Sequence, residues 1–109
     1  MSEKKKSIRS AFRTIVLDRD RHRCKVCKII PVNGDDGLDV HHITNRKEMP
    51  NGGYVNDNGI ALCSCCHKKA EEFHCTGEAA EGYSPEDLYK LIGSSYKKAI
   101  IMSRRSLDS

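Results

Sequence analysis

The sequence has no long hydrophobic run. Nothing approaches the roughly 18 consecutive apolar residues that a membrane-spanning helix needs. The first ten residues, MSEKKKSIRS, carry positive charge but no apolar segment. They do not read as a secretory signal, so a cytoplasmic location (a bacterial cell or a phage-infected host) is the expectation. Apolar residues are also scarce: 38% of 109 residues, with a mean hydropathy of -0.61. A single domain of this size has a thin core, and a metal or disulfides would help to hold it. No internal repeat is present, and the one low-complexity element is the short lysine run at residues 4–6.

Six cysteines are present. In a reducing compartment they are better read as metal ligands than as disulfides. Cys24 and Cys27 form one CxxC pair, and Cys63 and Cys66 form a second, with 35 residues between the pairs. Two such units supply four thiolates to a tetrahedral structural Zn²⁺, with sulfurs about 4 Å apart around bonds of about 2.3 Å. A redox CxxC would explain one pair but not the second. Cys65 and Cys75 are left over; Cys65 is a competitor for a ligand position.

Charge is unevenly spread. Residues 1–31 hold ten Lys/Arg against three Asp/Glu, a net of +7, and residues 32–109 hold nine against twelve, a net of −3. A basic end suits a polyanion such as nucleic acid. A solvated helix face explains the same charge equally well.

The pattern predicts a basic tail over 1–6 and an amphipathic helix from Ser7 to about Asp20, with Ile8, Phe12, Ile15 and Val16 at helical spacing. Turn residues fill 30–37. Strands are expected at 38–43 and 59–63, with a polar loop over 44–58 between them, and a helix over about 64–74. The segment 76–83 reads as a linker. Ser84 and Pro85 then open a C-terminal helix over 84–103, weakened by Gly93, before a tail at 104–109.

His41 and His42 are adjacent in the first expected strand, so they point to opposite faces and cannot do one job together. His22 sits among arginines and is expected to be exposed. On the helix after the second CxxC pair, His67 and Glu71 lie one turn apart at the edge of the arc that faces the core. His74 lies two turns from His67, about 10.5 Å along the axis, too far to share an ion easily.

The ordered set of Cys24-x-x-Cys27, His41-His42, Asn58, Cys63-x-x-Cys66 and His67 resembles the HNH endonuclease motif in its two-CxxC, zinc-knuckle form. The stretches NGIALCSCCH and RDRHRCKVC carry the likeness, which covers about residues 8–74. The resemblance implies an α+β fold: a small ββα-metal (His-Me finger) unit, here spanning 7–75, braced by a four-cysteine zinc site and flanked by N- and C-terminal helices. It implies that His41 and His67 bind a catalytic divalent ion, that His42 is the general base and that Asn58 orients that base and braces the hairpin. Some relatives carry a further histidine one turn after the helix histidine, where this chain has Glu71. The third ligand is therefore Glu71 or water, and an oxygen ligand favours Mg²⁺ or Mn²⁺ over Ni²⁺.

The expected activity is hydrolysis of DNA phosphodiester bonds to 5′-phosphate and 3′-hydroxyl products. Arg46, with Lys47, Lys68 and Lys69, is a candidate for phosphate contact, Arg46 first because a guanidinium grips phosphate in bidentate fashion. DNA is the expected partner, with no membrane. A protein partner that supplies specificity, and a phage, restriction or homing role, stay open. Two other readings fit the cysteines: a non-catalytic zinc ribbon that binds nucleic acid or protein, and a thiol redox protein.

Overall fold

The computed structural model describes residues 2–105. Met1 of the expected tail and the residues 106–109 of the C-terminal tail lie outside the described residues. The chain is α+β. Helix α1 (Ser2–Arg19) leads through the first CxxC turn and a short 3₁₀ turn into strand β1 (Leu38–His42). Strand β2 (Gly59–Cys63) pairs with it antiparallel, and α2 (Ser64–Thr76), α3 (Pro85–Leu91) and α4 (Tyr96–Arg105) follow.

The two-stranded hairpin lies between α1 and α2. Both faces of β2 are therefore covered, and Gly59, Ile60, Ala61 and Leu62 are all buried. This is why GIALC is an apolar run rather than an alternating one. Phe12, Val16 and Leu17 of α1 close one side of the core, and Ala70 of α2 closes part of the other. Ile8 and Ile15, expected on the apolar face of α1, are 40% and 50% exposed. The helix touches the hairpin along a narrower stripe than its apolar content allows. The helix itself starts at Ser2, so residues 2–6 continue α1 and are not a separate tail.

Asp20 fastens the end of α1. Its buried carboxylate accepts the Ala61 backbone N–H at 2.9 Å and pairs with Arg19 at 2.8 Å. A buried carboxylate is tolerated because both partners satisfy it.

The expected single C-terminal helix over 84–103 is two helices. Ser84 caps α3 by accepting the Asp87 N–H. Gly93 then takes a left-handed conformation (φ 69°), which ends α3 and lets the chain turn before α4. The 44–58 loop is not structureless either. It forms 3₁₀ turns at Arg46–Glu48, Pro50–Gly53 and Asn56–Asn58, and it packs on α4.

Candidate functional site

Among the described residues, two groups of side chains that could hold a metal ion come together. The first is Cys24, Cys27, Cys63 and Cys66, whose sulfurs lie within 4.8 Å of one another. The CxxC turn before β1 and the junction of β2 with α2 meet because Lys25 N–H bonds to the Ala61 carbonyl at 2.9 Å. Burial and hydrogen-bond donors set the acidity of Cys24 and Cys66. Burial opposes ionisation of Cys24, but backbone N–H donors at Cys27, Cys63 and Val26 outweigh it and lower its pKa to about 7. Burial pushes Cys66 up to about 12, against a 3.3 Å hydrogen bond from the Tyr83 hydroxyl. Four sulfurs at this spacing are a donor set for one structural metal ion. Cys65 and Cys75 are exposed and outside the group.

The second group is His41, His67 and Glu71, with one ligand atom from each inside the same 4.8 Å limit. His41 Nδ1 is 3.5 Å and His67 Nε2 is 3.1 Å from Glu71 Oε2. The strand delivers His41 to the face covered by α2, and the i, i+4 spacing delivers His67 and Glu71 to meet it. His41 is almost fully buried, and burial, then the neighbouring His74, His67 and His42, lowers its pKa to about 3. A neutral imidazole is the form that binds a metal.

Two neighbours of this group escape sequence reading. Asp39 accepts from His67 Nδ1 at 3.0 Å, which leaves Nε2 as the free ligand atom. His74, too distant from His67 along the helix to share an ion, instead stacks on His41 at 5.1 Å between ring centroids. Its Nε2 donates to the His42 carbonyl at 2.9 Å. The alternation of strand residues (Asp39 and His41 on one face) was the available signal for Asp39; nothing local signalled His74.

His42 faces the other way. Its ring stacks on Phe12 at 4.8 Å and meets Tyr54 edge-on at 4.9 Å. It lines a cavity of about 360 Å³ with Arg9, Phe12, Arg13, Val40, Arg46 and Tyr54. Burial, then the positive charge of Arg46, lowers its pKa to about 4. Its Nε2 is buried without a hydrogen-bond partner among the described residues.

Residues 24–73 match the family model described as HNH endonuclease. The match covers a little under half of the chain, from the first CxxC pair into α2. Comparison with curated proteins and with solved structures gives no match. Within the matched segment, the four clustered cysteines are consistent with the zinc-knuckle subset of HNH endonucleases. No helix among the described residues is long and apolar enough to cross a membrane.

Asn58, the asparagine of the motif, is completely buried. Its side chain bonds to Thr44, Gly53 and Tyr89, and its carbonyl accepts the Ile43 N–H at 2.9 Å. It braces the chain that follows His42. Arg46 is exposed and donates to the Tyr54 hydroxyl at 2.9 Å, at the rim of the His42 cavity. Lys68 and Lys69 are exposed on α2, away from that rim, and Lys69 lies over the Tyr83 ring.

Proposed function

We propose that the protein is a metal-dependent DNA endonuclease that cleaves phosphodiester bonds to give 5′-phosphate and 3′-hydroxyl ends. One observation carries this reading: inside an HNH domain, His41, His67 and Glu71 converge on one point while the adjacent His42 opens into an arginine-lined cavity.

The donor sets fit two metals. Cys24, Cys27, Cys63 and Cys66 suit a closed structural Zn²⁺ site. His41, His67 and Glu71 leave coordination positions open, and the Glu71 oxygen favours Mg²⁺ or Mn²⁺ over Ni²⁺. A divalent ion held by His41, His67 and Glu71 would supply Lewis-acid polarisation of the phosphate and neutralise charge developing on the leaving oxygen.

His42 takes a proton from the attacking water on an imidazole nitrogen. Its depressed pKa keeps it unprotonated at neutral pH, as a general base must be. A base near pKa 4 is weak. Entry of a phosphate beside Arg46 offsets the positive charge that helps to depress His42, and so strengthens the base when substrate is present. Arg46 and Arg9 bind the phosphate from the cavity rim. Arg13 is committed elsewhere: its guanidinium donates to the Leu38 and Asp35 carbonyls. Asn58 is a positioning residue that fixes the strand end. The non-catalytic zinc ribbon leaves His41, His67 and Glu71 without a task.

The test is cleavage of supercoiled plasmid by wild type and His42→Ala, each with Mg²⁺, Mn²⁺ or Ni²⁺ and with chelator. Metal-dependent nicking that drops about 10²–10⁴-fold in the variant is expected. Equal behaviour of the two proteins, with zinc bound and the fold intact, rules out His42 as the base.

A further inference from the structure

We propose that Tyr89, on α3 and outside the matched segment 24–73, is a positioning residue for the HNH asparagine and through it for His42. The inference rests on the endonuclease reading only where it speaks of turnover.

Tyr89 is 2% exposed, yet it carries a hydroxyl. A phenylalanine would fill the same space with no polar group to desolvate, so the hydroxyl needs a use. Its single proton goes to Asn58 Oδ1 at 2.7 Å, and its oxygen accepts from Thr44 Oγ1 at 2.7 Å. Asn58 Oδ1 also accepts the Thr44 N–H at 2.9 Å, while Nδ2 donates to the Thr44 carbonyl at 3.1 Å and to the Gly53 carbonyl at 3.3 Å. Both lone pairs and both amide protons of Asn58 are thereby used.

The Asn58 carbonyl accepts the Ile43 N–H. Asn58 thus holds residues 43 and 44, the two positions after His42, at three backbone groups. Tyr89 closes this network from a segment that the HNH motif does not contain. The same segment grips the loop elsewhere. Ser94 donates to the Asp57 carbonyl at 3.0 Å, and Asn51 donates to the Ser103 carbonyl at 2.9 Å. The C-terminal helices are thereby built into the catalytic unit and are not an appendage after a linker.

Removing only the hydroxyl frees one Asn58 lone pair and the Thr44 hydroxyl in a place closed to water. The chain after His42 then samples wider positions. The test is Tyr89→Phe, with Ser94→Ala as a comparison that cuts a tie between the C-terminal segment and the loop but spares the Asn58 network. Tyr89→Phe is expected to keep its zinc and its KM, to lose about tenfold in kcat, to speed amide exchange at Ile43 and Thr44, and to shift the His42 ring nitrogen resonances. Ser94→Ala is expected to lower Tm without moving kcat or the His42 resonances. Tyr89→Phe with wild-type exchange at Ile43 and Thr44 and unmoved His42 resonances overturns the proposal. So does a Tyr89→Phe whose losses match those of Ser94→Ala. If wild type proves inactive on DNA, the endonuclease reading fails, and amide exchange with the His42 resonances still decides the role of Tyr89.

Discussion

Gly59 pairs with His42 across the hairpin, and the Phe12 ring that stacks on His42 occupies the space where a Gly59 side chain would stand. A Cβ at position 59 would come within 2.6 Å of Phe12 Cζ and 2.8 Å of Val16 Cγ2. The backbone there is ordinary extended chain (φ -122°), so space alone demands glycine. Gly59→Ala is expected to push Phe12 off the imidazole, to destabilise the fold by about 1–3 kcal/mol and to lower nicking, with zinc still bound. Thermal unfolding, metal content and plasmid nicking measured together check this. An unchanged Tm would mean that α1 yields freely and does not fix His42.

The four-cysteine group makes metal loss a folding event. It ties the segment after α1 to the start of α2, and all of β1 and β2 lies between. Cys66, held up to about 12 by burial, stays protonated near neutral pH until a cation arrives. Metal binding should therefore release protons, seen as a buffer-dependent heat in calorimetry. Cys63→Ser should lose the metal and unfold, whereas Cys65→Ser and Cys75→Ser should keep both metal and fold. Full metal content in Cys63→Ser would exclude the assignment of these four thiols to one ion.

Asp39 is predicted to act on the second group through His67. By holding Nδ1 it fixes the tautomer and the ring direction that present Nε2 beside Glu71. Asp39→Ala should weaken binding of Mn²⁺ by about 10–100-fold while the cysteine-bound metal is retained. Titration calorimetry on zinc-loaded protein reads this directly. Affinity equal to wild type would mean that Glu71 alone orients His67.

His22 provides a pH test away from the cavity. It bridges Asp35 at 2.8 Å and Asp18 at 3.0 Å, joining α1 to the turn before β1. Its hydrogen bond to Asp35 raises its pKa above 6.5, despite some opposing desolvation. A raised folded-state pKa means that the stabilisation is complete below 6.5 and is lost as pH rises through the folded value. The difference in Tm between wild type and His22→Ala should therefore be largest near pH 6 and shrink towards pH 8. A difference that is constant across this range would show that the pair contributes by packing, not by charge.

Asn58 stood out only through the family resemblance, whereas the cysteine pairs and the opposed facing of the histidine pair were legible because each is local, a CxxC turn and an alternating strand. The hairpin was legible for the same reason. Phe12, Asp39, His74 and Tyr89 were not readable as parts of the site, because their roles arise only when α1, β1, α2 and α3 pack together. Asp20 escaped notice too: nothing in its neighbourhood announces a carboxylate that will meet Ala61 across the core. The split of the C-terminal helix was half visible. Gly93 was a weak point in the sequence, but only the folded chain shows that the turn there directs α4 onto the 44–58 loop.

Arg9 and Arg46 should carry the DNA contact that matters most. They line the His42 cavity and also an adjoining one of about 440 Å³ that includes Lys47 and Tyr54. Burial raises the Tyr54 pKa, but Arg46, which donates to its hydroxyl at 2.9 Å, and Arg9 outweigh that and lower it. A phosphate entering there replaces a weak neutral acceptor with a charged one, which two guanidiniums prefer. Lys68 and Lys69 on α2 line neither of these cavities. Removing one phosphate-binding charge should flatten the dependence of log affinity on log salt by about 1. Arg9→Gln and Arg46→Gln should each do so on a short duplex, measured by fluorescence anisotropy with the second metal site filled by Ca²⁺. Lys68→Gln and Lys69→Gln should leave the slope nearly unchanged. The reverse ranking would move the phosphate path from the α1 face of the hairpin to α2, and His42 would then lie on the wrong side to meet it.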